Sequence, residues 1–77
     1  MSQRDKLIAR IVARPPIADF YDVRRVLELF GWEQARQSGS HVSFVKAGER
    51  PIIIPLQSGR KVKRVYLDQI CERLRLD

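Results

Sequence analysis

The feature that most constrains this chain is a change of hydrophobic period at Gly31. Up to that point, apolar residues recur every three or four positions. Beyond it, they alternate. A stripe with a period near 3.6 is the face of an amphipathic helix, and alternation is the mark of a half-buried strand. Glycine takes the left-handed backbone conformation at little cost, so it is a natural residue just past a helix end. The chain is therefore committed to helices first and sheet afterwards.

Two helices precede Gly31. Ser2 can cap the first, with Asp5 as a capping-box partner three residues on, and Leu7, Ile8, Ile11 and Val12 then fall at helical spacing. Pro15-Pro16 ends it, because a proline forces its predecessor out of helical geometry. Asp19 opens the second helix, its carboxylate expected to cap the amides of Tyr21 and Asp22. Phe20, Val23, Leu27 and Phe30 mark its buried face, widened by Val26 and Leu29, while Arg24, Arg25 and Glu28 take the wet side.

After Gly31, residues 32–37 read as a strand and Ser38-Gly39 as a hairpin turn. Residues 41–47 alternate, with Val42 and Phe44 facing one way and His41 and Ser43 the other. Gly48-Glu49-Arg50-Pro51 turns the chain into a short strand, Ile52-Ile53-Ile54, apolar on both faces. Pro55 lacks a ladder donor, so that strand ends there or lies at an edge. A last helix is expected from Val62 to Leu74, with Leu67, Ile70, Cys71 and Leu74 buried. Its first turn would carry Lys63 and Arg64 at the positive end of the helix dipole, an arrangement that suits a phosphate better than it suits stability. Three antiparallel strands with helices on one face make an α+β two-layer domain. From Asp19 onward the order is α-β-β-β-α, that of the double-stranded-RNA-binding fold, with an extra N-terminal helix. Residues 1–77 are expected to form one domain, a helical extension at 1–16 and a core at 19–77.

Composition excludes several classes. The single Cys71 allows no internal disulfide and, with the single His41, no structural zinc site; no cofactor is implied. Cys71 falls in the helical stripe and reads as a small core residue. No apolar run approaches the roughly 20 residues that span a bilayer. The N-terminal residues lack the pattern of a signal peptide, so a cytoplasmic protein is the expectation. Fifteen basic residues against nine acidic ones give a net charge of +6, which suits a polyanionic partner, above all nucleic acid. Arg60, Lys61, Lys63 and Arg64 concentrate that charge, with no acid until Asp68.

His41 is the candidate reactive group. Alternation aims it off the core, and Ser38-Gly39-Ser40 leaves little bulk to obstruct a backbone approaching it. Its ordinary reading is an exposed strand histidine beside a turn. Its chemical reading starts from RNA, which carries its own nucleophile, the 2′-hydroxyl, beside each phosphate. Cleavage then needs a base, an acid for the leaving oxygen, and positive charge for the transition state, with no metal required. The chain offers one histidine and many cations, so the acid must be Tyr66, Tyr21, a lysine or water. Arg36 and Lys46 are candidates to flank His41 across the hairpin. No Ser/His/Asp arrangement and no glycine-rich phosphate loop is apparent.

Phe30-Gly31-Trp32-Glu33, Arg36-Gln37-Ser38-Gly39-Ser40-His41, Ile54-Pro55-Leu56 and Ser58-Gly59-Arg60-Lys61 together resemble the HicA toxins, also called YcfA-like proteins. The resemblance runs from about Asp19 to the C-terminus. It implies a double-stranded-RNA-binding-like fold and an mRNA interferase of a type II toxin–antitoxin system. His41 matches the family's catalytic histidine, in a turn with Gly39 and Ser40. A HicB-like antitoxin would cover the His41 face within a toxin–antitoxin hetero-oligomer. Many members have further histidines where this chain has Val42 and Gln57, which leaves the acid unassigned.

The leading expectation is thus a metal-independent endoribonuclease with His41 as acid/base. Its RNA would be held by Arg36, Gly39, Ser40, Lys46, Arg60, Lys61, Lys63 and Arg64. The alternatives are a non-catalytic RNA-binding domain of the same fold, or a protein-interaction module built on the isoleucine strand.

Overall fold

The structure is a computed structural model that describes residues 2–76; Met1 and Asp77, the ends of the expected domain, lie outside them. Helix α1 spans Gln3–Val12, and the Ser2 hydroxyl accepts from the Asp5 amide at 3.2 Å, as the capping pattern requires. Leu7 and Ile11 are its buried residues, and it lies against the two later helices. Arg14 then takes a left-handed conformation ahead of the two prolines.

Strand β1 (Ile17–Asp19) leads directly into helix α2 (Phe20–Leu29). Phe20, Val23, Val26 and Leu27 are buried, whereas Leu29 lies at the exposed margin of the face assigned to it. Gly31 has φ +89°, and the amides of Phe30, Gly31 and Trp32 fold back onto the last-turn carbonyls. The helix stop is thus the one expected of glycine.

The hairpin of β2 (Glu33–Ser38) and β3 (His41–Val45) is extended by β4 (Ile52–Pro55), all antiparallel in the order β2-β3-β4. β4 is an edge strand and ends at Pro55, so both readings of that proline hold. Val42 and Phe44 are fully buried, as are Ile54 and, nearly so, Ile52; Ile53 points the other way and stays 47% exposed. Inner-face residues join Phe20, Val23, Leu27 and the apolar side of helix α3 (Arg64–Leu74), which buries Leu67, Ile70 and Cys71. Trp32 completes this core at 2% exposure, so it packs rather than presenting its ring to a ligand. The result is α+β with helices on one face of an antiparallel sheet, the α-β-β-β-α order of the double-stranded-RNA-binding fold.

Three local expectations are corrected. First, Val62 does not begin the last helix. It is the middle of a fifth strand, β5 (Lys61–Lys63), which pairs antiparallel with β1 in a second, two-stranded sheet. Val62 and Ala18 face each other in that ladder, both inward, so a helix start there would have given up the burial of Val62. Helix α3 begins at Arg64, and Lys63 is the extended residue before it. Second, Asp19 stands at the N-cap of α2 but makes no side-chain cap, because its carboxylate is held by the Lys61 ammonium group. Third, the hairpin turn is Gly39-Ser40, one residue later than Ser38-Gly39; Gly39 alone has positive φ (+60°), the II′ pattern with glycine first.

Candidate functional site

His41 owes its place to that two-residue turn. It is the first residue of β3, opposite Ser38 on one side and Pro55 on the other. Because directly opposed residues share a face, the outer surface of the sheet carries Ser38, His41 and Pro55 in one row and Arg36, Ser43 and Ile53 in the next. The His41 side chain is exposed and makes no hydrogen bond or ion pair among the described residues. Its ring is available to an incoming group.

Arg36 is the diagonal neighbour of His41 on this face, a separation of roughly 7–8 Å that a long side chain spans easily. The unbroken register from the two-residue turn makes this so: Ser38 pairs with His41, Gln37 with Val42 and Arg36 with Ser43. Beyond Arg36 the register slips at a bulge, so that Gln34 faces Phe44. Strict alternation along β2 would not have allowed residues 34 and 36 to oppose different faces of β3. The nearest acid on the outer face of the hairpin is Glu33, which opposes Val45 at the far end. The first two rows around His41 therefore contain no carboxylate.

The turn itself is braced on both sides. Gln37 Nε2 donates to the Gly39 carbonyl at 3.0 Å, and the Leu56 amide donates to the Ser40 carbonyl at 2.6 Å. That second bond ties the end of β4 to the turn beside His41. One residue later, Gln57 bridges Lys61 through reciprocal backbone bonds and closes the loop Ser58-Gly59-Arg60. The basic segment thus leaves the sheet at the His41 end.

Within that segment each cation has a different setting. Arg60 has φ +56°, uncommon for a residue with a side chain; its carbonyl accepts from the Phe20 amide, and its guanidinium lies 4.9 Å from the Phe20 ring centroid. Lys61 is engaged by Asp19. Lys63 is exposed at the end of β5. Arg64 Nε donates to the Arg14 carbonyl at 2.9 Å, which turns it toward the α1 end of the fold. Lys46 stands apart from all of these. It follows β3 at the end farthest from His41, and its Nζ donates to the Phe30 carbonyl at 2.8 Å, neutralising the negative end of the α2 dipole.

Neither tyrosine proposed as the acid is brought to His41. Tyr21 Oη accepts from Arg25 at 3.0 Å on helix α2, and Tyr66 packs against the core from α3. The bond to Tyr21 raises the pKa of Arg25 above its already high ordinary value, so that side chain stays charged. Sequence reasoning missed the pairing of β1 with β5 and the grip of Asp19 on Lys61. The signal for both was the alternation of Ile17-Ala18-Asp19 after Pro16, too short to separate from a helix cap.

Residues 20–76 match the family model described as the HicA toxin of bacterial toxin–antitoxin systems. The chain belongs to the HicA toxin family. Membership makes it a toxin of a toxin–antitoxin system and implies an antitoxin partner. No curated protein and no solved structure matches the chain. Helix α1 lies outside the matched segment. Among the described residues no helix is long and apolar enough to cross a membrane.

Proposed function

We propose that this HicA-family toxin is a cytoplasmic endoribonuclease that cleaves mRNA at the outer sheet face, with His41 as the catalytic group. The observation that carries the reading is the row geometry. The only imidazole in the chain is exposed, unpartnered among the described residues, and has an arginine as its diagonal neighbour. His41 takes the proton of the 2′-hydroxyl, the 2′-oxygen bonds to phosphorus, and the bond to the 5′-oxygen breaks. Arg36 stabilises the charge that builds on the phosphoryl oxygens. Water supplies the proton for the leaving 5′-oxygen, since both tyrosines are occupied elsewhere. The hydroxide left behind is neutralised by the imidazolium, which restores the ring. No metal enters these steps. Gly39 and Ser40 give the RNA backbone an unobstructed approach, and Arg60, Lys63 and Arg64 hold the flanking phosphates, joined by Lys61 when it leaves Asp19.

The partner is a HicB-like antitoxin that covers the His41 face in a hetero-oligomer. Val45 (39% exposed) and Ile53 (47%) lie on that face with His41, an apolar pair that water leaves uncovered in the free chain. The whole of residues 1–77 acts as one domain, with 1–16 an extension on the 19–77 core.

A single 2′-deoxy substitution tests the chemistry. Purified toxin in excess chelator should cut a single-stranded RNA, and replacing the 2′-hydroxyl at the cut position with hydrogen should abolish that cut. Cleavage that survives the substitution excludes the 2′-oxygen route.

A further inference from the structure

We infer that the groove between α1 and α2 is a second contact site for the RNA strand, built on Lys6, Tyr21 and Arg25 and continuous with the His41 end of the sheet. The inference rests on the reading of RNA as substrate. Its starting point is Tyr21, a helix residue left 55% exposed. The guanidinium carbons of Arg24 and Arg25 each lie 5.6 Å from its ring centroid. An exposed ring with guanidinium groups beside it is the chemistry on which nucleic-acid bases stack, and stacking tolerates any base.

Charge on this face is disposed to match a phosphate backbone. The acids present are already committed: Asp22 pairs with Arg10 at 3.1 Å, and Glu28 lies 4.0 Å from Arg24. Lys6 and Arg25 line the same groove and make no ion pair or hydrogen bond with a carboxylate among the described residues, although Glu28 and Asp22 lie near enough to Arg25 to favour its charged form. The fold does not require them. Helix α1 packs through Leu7 and Ile11, and Lys6 stands off that stripe. Because α1 lies outside the family match, this half of the groove is a feature added to the toxin core.

A chain of contacts makes the two sites continuous. Leu56 bonds to Ser40 beside His41; Gln57 bridges Lys61; Arg60 covers Phe20; and Tyr21 follows Phe20 in the first turn of α2. A strand leaving His41 along the basic loop arrives at the Tyr21 ring without crossing an uncompensated acid, since Asp19 is held by Lys61.

The experiment measures binding alone, in a His41→Ala background, with a fluorescent single-stranded RNA of about 16 nucleotides. Tyr21→Ala should weaken binding about tenfold, whereas Tyr21→Phe should bind within about twofold of its parent, because the ring and not the hydroxyl carries the contact. Lys6→Gln with Arg25→Gln should flatten the slope of log affinity against log salt by about 1.4 units. Circular dichroism checks that each variant is folded. Unchanged affinity in Tyr21→Ala and an unchanged slope in the double variant would overturn the inference. So would loss of antitoxin binding with RNA affinity intact, which would make the groove a protein interface. Toxin that binds RNA through this groove but never cuts it would refute the catalytic reading and leave this one standing.

Discussion

Asp19 and Lys61 face each other across the β1–β5 ladder, and their side chains pair. The pairing has two consequences. It takes the carboxylate away from the amides at the start of α2, and it occupies one of the cations of the basic loop. An exposed ion pair of this kind contributes only about 0–1 kcal/mol to stability. Its larger effect is on the field that an RNA meets.

Asp19→Ala should therefore tighten RNA binding rather than weaken it. The substitution removes an acid from the basic band and frees Lys61 for a phosphate. The slope of log affinity against log salt should steepen by about 0.7 units for one added phosphate contact. Thermal melting should change little. Weaker RNA binding in a folded Asp19→Ala protein would mean that the pair positions Lys61 for its task.

Arg60 poses the opposite balance. Its left-handed backbone costs roughly 1–2 kcal/mol relative to glycine, and its contact with the Phe20 ring returns about 0.5–1 kcal/mol. Arg60→Gly should accordingly leave the stability unchanged or raise it by up to about 1.5 kcal/mol, read from denaturant unfolding. RNA affinity should fall several-fold. A residue that stability does not require is then kept for its charge. Marked destabilisation with RNA affinity intact would assign Arg60 a structural role instead.

The hairpin turn can be tested through its glycine. At Gly39, φ is +60° and an added Cβ would meet nothing within 4 Å, so the whole cost of a side chain is backbone strain. Gly39→Ala should lose about 1 kcal/mol, a fall of about 4–8 °C in Tm for a domain of this size. An unchanged Tm would mean that the turn relaxes to another type, and the row that pairs Ser38 with His41 would shift with it.

How much of this was legible from residues alone depended on the strength of local patterns. The α2 stripe, the Gly31 stop and the alternation of Val42 and Phe44 each repeat a physical period over enough residues to be read. The outward aim of His41 followed from that parity. Strand β2 carried no such pattern, since all six of its residues are exposed, and its bulge could not be seen without the partner strand. The place of Arg36 in the row next to His41 depends on pairing across the two-residue turn, which the residues of β2 alone do not specify. Lys46 does not flank His41 as its place in the hairpin suggests, because its partner, the Phe30 carbonyl, is remote in sequence. Strands β1 and β5 are three residues each, too short to show a period. Only their pairing makes them strands, and so the start of α3 was placed too early.

The central claim is that His41 performs chemistry at the outer sheet face. It is tested most directly by comparing the toxin with His41→Ala in RNA cleavage, with melting temperature and RNA affinity measured on the same preparations. An exposed side chain without partners contributes within about 0.5 kcal/mol to stability, so the variant should melt as its parent does. Its RNA affinity should be within a few-fold of the parent, and its cleavage rate should fall by at least about 100-fold. A folded His41→Ala protein that cuts RNA at the parent's rate would contradict the account.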